Sequence, residues 1–171
     1  MTANLVYQFN RLLRGSVPFA LAVLMALLAV VPTGISGFGI ITPSLLTISV
    51  FYWSIHRPYL MGAPLCFLLG ILFDFLTGAP LGLTSLMLLL VHGVTLSQRR
   101  IFIGKSFVLS WFGYALIALI AAIAGWLIVC LYSLSLLPLA PVLIQYALSL
   151  LIFPLLAFGF GLLQNNLLRL T

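Results

Sequence analysis

The chain has 171 residues, of which 64% are hydrophobic and 5% are charged, and its mean hydropathy is +1.35. A soluble domain of this size cannot bury so much apolar surface, so the composition excludes an ordinary water-soluble fold. The net charge of +6 comes from seven scattered basic residues, and without a soluble fold to present them it argues against nucleic-acid binding.

Apolar runs long enough to cross a hydrocarbon core of about 30 Å recur along the whole chain. They predict one polytopic membrane domain over residues 1–171, an all-α integral membrane protein built as a compact bundle of about six transmembrane helices. In chain order, the predicted segments are Val17 to Thr33, Ile40 to Ile55, Tyr59 to Thr77, Leu81 to Ser97, Phe107 to Tyr132 and Leu139 to Leu163.

Residues 1–16, which precede the first segment, have two interpretations. Leu5, Phe9 and Leu12 recur at helical spacing opposite Gln8 and Arg11, the pattern of an amphipathic helix that lies at the interface on anionic lipid. A frayed cytoplasmic start is the alternative. The apolar run that follows has the length of a span, so it is interpreted as an uncleaved anchor and not as a signal peptide.

The basic residues predict the orientation of the bundle. If the N-terminus lies in the cytoplasm, all seven fall on the cytoplasmic side, as the positive-inside rule requires, so both termini are predicted to be cytoplasmic. Segments three and four are short, and a re-entrant hairpin entering from the cytoplasm would keep the same charges inside. The basic residues are Arg11, Arg14, Arg57, Arg99, Arg100, Lys105 and Arg169.

Asp74 is the only acid in the chain, and it lies inside the third segment. An ionisable group in a span is a functional-site hypothesis by default. Gly62, Cys66, Gly70, Asp74 and Gly78 follow one another at steps of four, which predicts a stripe of small residues that another helix can approach closely. We therefore expect Asp74 to face protein and not lipid.

Two roles for Asp74 stay open at this point. It is either a proton, ligand or partner-clamping site, or a packing residue. In the second case we expect it to accept hydrogen bonds from hydroxyls such as those of Thr77 and Thr84 and from the amides that open segment four.

The remaining chemistry-bearing residues form no recognisable catalytic or metal-binding set. His92 and Asp74 are expected to differ in depth by more than about 10 Å. His56 belongs to an inner loop, and Cys66 and Cys130 lie near opposite ends of their segments. We therefore expect no enzyme activity, no metal and no cofactor.

Two stretches around segments two and three resemble a known family. An aromatic run that starts at Phe51 leads into Arg57 and Pro58, and a later run from Gly70 through Asp74 ends in a Gly-Ala-Pro-Leu-Gly turn. In this order and spacing, over residues 51–82, the pattern resembles the rod shape-determining protein MreD family. The partner or packing candidates are Arg57, Pro58, Gly62, Gly70, Asp74, Gly78, Pro80 and Gly82.

The resemblance implies a non-catalytic scaffold in the bacterial cytoplasmic (inner) membrane. Proteins of this family act with a membrane-anchored MreC-like partner and with MreB, RodA and a penicillin-binding transpeptidase, so they support rod shape and lateral peptidoglycan synthesis. Their fold is thought to resemble the membrane substrate-binding subunits of energy-coupling vitamin transporters. No catalytic residue carries over.

Two functions of other classes remain as alternatives. A substrate-binding subunit of a vitamin transporter is also a small six-helix protein, and Ala22 with Ala26 makes the small-residue pair that such subunits use on their first helix. Those subunits carry polar ligand-binding groups in outer loops, whereas the outer loops here are short and uncharged. A proton-coupled carrier built on Asp74 would lack partner charges within the membrane.

Overall fold

The computed structural model describes residues 18–30, 44–102 and 107–168. Over these residues the chain is all-helical, which confirms the all-α part of the predicted fold class. The predicted amphipathic helix of residues 1–16, the first outer loop and four of the basic residues lie outside the described part. In chain order the helices are α1 (Pro18–Val30), α2 (Leu45–His56), α3 (Ala63–Thr77), α4 (Leu83–Phe102), α5 (Phe107–Ser133) and α6 (Ala140–Leu168).

Two of these helices are long and apolar enough to cross a membrane. Phe107–Ser133 has 27 residues with a mean hydropathy of 2.6, and Ala140–Leu163 has 24 residues with a mean hydropathy of 2.1. The helices α1, α2 and α3 are apolar but shorter. At 1.5 Å per residue, the 15 residues of α3 extend about 22 Å, less than the thickness of a typical hydrocarbon core.

The observed ends of α3 and α4 differ from the prediction. α3 begins at Ala63 and not at Tyr59, because Gly62 takes an extended conformation before the helix and Pro64 occupies its first turn. α4 continues past Ser97 to Phe102, so Arg99 and Arg100 lie on a helix and not in a loop. Arginine is a good helix former, and its charge is favourable near a helix C-terminus.

α2 is the central helix of the described bundle. It packs against α4, α5 and α6, while α3 packs mainly on α4. Every residue from Ile48 to Ile55 is buried, which is expected for a helix that is surrounded on all sides. The aromatic run that carried the family resemblance is therefore also the core of the fold.

Aromatic rings join α2 to α5 and α6. Phe51 packs edge-on against Tyr114 and Phe153, with ring centroids 5.3 and 5.8 Å apart, and Tyr114 stacks on Phe153 at 4.6 Å. Ring pairs with these geometries add to the stabilisation that comes from burial alone. Phe160 extends the contact along α6 to Tyr52 and Trp53.

Candidate functional site at the junction of α3 and α4

Asp74 is fully buried near the C-terminal end of α3. Its Oδ2 accepts a hydrogen bond from the Gly82 amide at 2.7 Å, and its Oδ1 accepts one from the Thr84 amide at 3.2 Å. Both amides open α4, where backbone N–H groups have no partner within their own helix. One side chain of α3 therefore caps the N-terminus of α4.

This arrangement explains how a lone acid is tolerated in an apolar bundle without a cationic partner. The N-terminus of a helix carries partial positive charge, and its free amides favour an oxygen acceptor that bears negative charge. The amides of Gly82 and Thr84 supply the hydrogen bonds of the Asp74 carboxyl group. The hydroxyl of Thr77 donates instead to the carbonyl of Phe73 at 2.8 Å. The hydroxyl of Thr77 is thus used inside α3 and is no donor to Asp74.

Gly70 lies at a close crossing of α3 and α4. A Cβ atom built at Gly70 would overlap the Cα and N atoms of Ser85, so only glycine fits at this crossing. The Ser85 hydroxyl also donates to the carbonyl of Phe67 at 3.0 Å, which ties the two helices together above the contact. Cys66, one turn earlier on the same face, is buried as well.

The ends of the predicted small-residue stripe have a different role. Gly62 precedes α3 and is half-buried, and Gly78 ends α3 with a φ of +68° and is exposed. A Cβ at Gly78 would meet nothing within 4 Å. Close approach therefore involves only the middle of the stripe, and Gly78 is favoured by its backbone conformation.

The turn between α3 and α4 brings the capping amides to Asp74. Gly82 has a φ of +94°, and the carbonyl of Pro80 accepts the Leu83 amide at 3.1 Å. Glycine adopts positive φ without steric cost. This turn thereby presents the Gly82 N–H to the carboxyl group one helix away.

Two further polar contacts between α4 and α2, one at the middle of α4 and one near its C-terminus, were not predicted from the sequence. The Ser54 hydroxyl is hydrogen-bonded to His92 Nδ1 at 2.7 Å, and both residues are buried. Arg99 Nε donates to the carbonyl of Ile55 at 2.9 Å, which caps the C-terminus of α2. The sequence offered one signal for the contact between Ser54 and His92: each is a polar residue within an otherwise apolar helix.

Arg57 and Pro58 lie in the turn between α2 and α3. The amide of Arg57 donates to the carbonyl of Trp53 at 2.8 Å, and the Arg57 carbonyl accepts the Leu60 amide at 3.0 Å. Arg99, and not Arg57, contacts a carbonyl at the helix end through its side chain.

A cavity of about 530 Å³ lies between the N-terminal ends of α2, α4 and α6 and the C-terminal half of α5. Its size is typical of small-molecule sites. The described residues that line it are mostly apolar and include no charged side chain, its polar groups being hydroxyls such as those of Ser44 and Tyr146 and the amide of Gln145.

The two alanines that suggested a transporter subunit are fully buried within the chain. Ala22 and Ala26 on α1 have no exposed surface, so they pack inside this protein and do not form a free docking face.

By contrast, α3 exposes a row of large apolar side chains on the side away from α4. They are Phe67, Leu68, Leu72, Phe75 and Leu76.

Among the described residues no group of three histidine, cysteine, aspartate or glutamate side chains could hold a metal ion. The fold defines the class of protein: the chain is all-helical and compatible with a membrane helical bundle. Within this bundle, the acid Asp74 on α3 caps the neighbouring helix α4.

The chain belongs to the rod shape-determining protein MreD family, whose model matches residues 9–165. The match confirms the resemblance seen over residues 51–82 and extends it to nearly the whole chain. Membership assigns the protein to a membrane protein family of the shape-determining system, a structural family that is not known for catalysis. No curated protein and no solved structure matches the chain significantly.

Proposed function

We propose that this protein is a non-catalytic scaffold in the bacterial cytoplasmic membrane that supports rod shape and lateral peptidoglycan synthesis. It crosses the membrane six times, with both termini in the cytoplasm. The family match over residues 9–165 is the observation that carries the proposal. Composition and the two long apolar helices support the membrane location.

The hydrogen bonds of Asp74 favour a scaffold over a proton-coupled carrier. A carrier needs an acid that exchanges protons with a water-filled pathway or with a substrate. Asp74 is fully buried, and both of its oxygens are occupied by the amides of Gly82 and Thr84. Its role is therefore to hold α3 against α4.

The partner of the scaffold is an MreC-like membrane protein, whose transmembrane helix packs on the exposed row of α3. One side of α3 is occupied by α4, and the side that carries Phe67 and Phe75 has no partner helix among α2 to α6. Gly70 and Asp74, candidates for partner contacts in the sequence, act within the chain and shape α3 for docking. Through this partner the protein joins the elongation complex of MreB, RodA and a penicillin-binding transpeptidase.

Co-purification of the MreC-like partner from mild detergent tests this proposal. The double variant Phe67→Ala/Phe75→Ala removes two exposed rings, eight residues apart, from one face of α3. We expect the variant to accumulate normally, because neither ring is buried, but to recover less partner than the wild-type chain. Cells that depend on the variant should lose their rod shape.

Leu151→Ala/Phe158→Ala is the matched control. These residues lie seven apart on α6 and are at least two-thirds exposed, so exposed apolar surface is removed from another helix. Full partner recovery and normal rods in the α6 control, with loss of both in the α3 variant, would support the docking face. Undiminished recovery with the α3 variant would refute it, and normal rods in cells without the protein would refute the scaffold function.

A further inference from the structure

The inner ends of α2 and α4 place two arginines near each other, because the side chain of Arg99 contacts the backbone two residues before Arg57. Arg99 is half-buried and is held against α2 by its hydrogen bond to the carbonyl of Ile55. Arg57, directly after α2, is also half-buried, and its side chain has no hydrogen bond or ion pair with the described residues. One cation is thus held in place, while the other has no acceptor among the residues that the structure describes.

His56, the last residue of α2, lies between Arg57 and Ile55, whose carbonyl Arg99 contacts. Its Nδ1 is 3.0 Å from the carbonyl of Tyr52, and its ring stacks on Tyr52 with centroids 4.2 Å apart. Arg100, the next residue on α4, is exposed.

The chain has no acid that could neutralise this pair. Asp74 is the only aspartate or glutamate in 171 residues, and it is engaged with the amides of α4. It lies eleven residues beyond the start of α3, about 16 Å along the helix from the inner turn. Two neighbouring like charges without a counter-ion repel each other, so they favour the binding of an anion from outside the chain.

The surroundings of the pair favour a lipid as the source of that anion. Ile101, at the end of α4, is half exposed, and Tyr59, in the adjoining turn, is 92% exposed. Apolar side chains suit acyl chains, and tyrosine is enriched at the level of lipid headgroups. Arginine binds phosphate through a planar fork of N–H donors, and basic pockets between transmembrane helices bind anionic headgroups.

We propose that Arg57 and Arg99 form a binding site for the phosphate group of an anionic phospholipid in the cytoplasmic leaflet. His56 closes one side of the site, and Ile101 contacts the first carbons of an acyl chain. The site rests on the membrane location given under the proposed function. It ties the turn between α2 and α3 to the end of α4 through one lipid headgroup.

Thermal unfolding and native mass spectrometry of the full chain in a neutral detergent test the site. Phosphatidylglycerol should raise the Tm of the wild-type chain more than phosphatidylcholine does, with one lipid retained per chain. Arg57→Gln, which breaks no hydrogen bond within the described residues, should weaken phosphatidylglycerol binding about fivefold, the change expected for one arginine–headgroup contact of about 1 kcal/mol. Arg99→Gln should do the same and also lower the Tm without lipid.

Arg100→Gln is the matched control, with the same charge change one residue away on the same helix. It should keep the response to phosphatidylglycerol. Equal losses in Arg100→Gln and Arg57→Gln, or equal stabilisation by both lipids, would overturn the site. Protection by inorganic phosphate or by polyglutamate in place of the lipid would overturn the assignment of a lipid. These measurements use neither the partner nor cell shape, so their failure is distinguishable from failure of the scaffold function.

Discussion

At the scale of single residues, Asp74 allows the sharpest test. An amide in its place has one oxygen acceptor where the carboxyl group has two, so Asp74→Asn should keep one of the two bonds to α4. Asp74→Leu removes both and leaves the partly buried amides of Gly82 and Thr84 without this acceptor, at a cost of up to about 3 kcal/mol each. We expect the Tm in detergent to fall in the order wild type, Asp74→Asn, Asp74→Leu, and partner recovery to follow it.

Thr77→Val is the control for this series at the same end of α3. Its hydroxyl is exposed and bonds only within its own helix, so the variant should unfold close to the wild-type temperature. A Tm for Asp74→Leu equal to that of Thr77→Val would show that the cap contributes nothing. Proton-dependent solute uptake that Asp74→Asn abolishes would instead establish a carrier.

The buried polar residues of α2 show where sequence reasoning ends at this scale. Ser49 and Ser54 are both fully buried, yet Ser54 bonds to His92 while the Ser49 hydroxyl has no partner in the described structure. Trp53 likewise has an unpaired Nε1–H. Nothing in the local sequence separates the two serines, because the difference depends on the rotation of α2 relative to α4.

At the scale of elements, the crossing of α3 and α4 decides how the two helices pack. Gly70→Ala should push them apart, because the added methyl group meets backbone atoms of Ser85 that cannot move aside as a side chain would. Overpacking of this kind typically costs about 1 to 3 kcal/mol. We expect a lower Tm in detergent and reduced partner recovery.

Gly93→Ala provides the comparison, since Gly93 is exposed on α4 and a Cβ there meets nothing within 4 Å. Alanine is favoured over glycine in a helix interior by roughly 0.5 to 1 kcal/mol, so this variant should match or exceed the wild-type Tm. If the two variants unfold at the same temperature, the crossing is not as close as the structure has it.

At the scale of the whole molecule, the proposed topology predicts which loops face which compartment. In a Cys66→Ala/Cys130→Ala background, an impermeant thiol reagent added to intact cells should label Leu81→Cys and Ser135→Cys, both exposed in turns. Gln98→Cys, exposed near the end of α4, should react only after the membrane is opened. The physical reason is that the neighbouring arginines keep that end in the cytoplasm.

The same labelling separates the two variants of the bundle. Reaction at Leu81→Cys only in opened cells, with Ser135→Cys still labelled from outside, would replace the α3–α4 pair of spans by a re-entrant hairpin. External reaction at Gln98→Cys would overturn the cytoplasmic location of that loop and the six-span topology with it.

The sequence by itself determined the class and the family of this protein. The apolar composition and the small number of charges predict membrane helices without any knowledge of the tertiary structure. Exposing such a chain to water is unfavourable however its helices are arranged. Residues 51–82 were sufficient to recognise the family. Their aromatic run, their turn and their small residues are each short stretches of consecutive or regularly spaced residues, so they can be read without knowing the tertiary structure.

Only the tertiary structure decided what the individual residues contact. Asp74 could have bonded to hydroxyls or to amides, and the turn at Gly82, with its positive φ, directs the amides of α4 to it. Arg99 reaches α2 because α4 continues as a helix beyond Ser97. Such contacts join residues many positions apart, and they depend on where each helix ends and how it is rotated, which hydrophobic pattern alone leaves open.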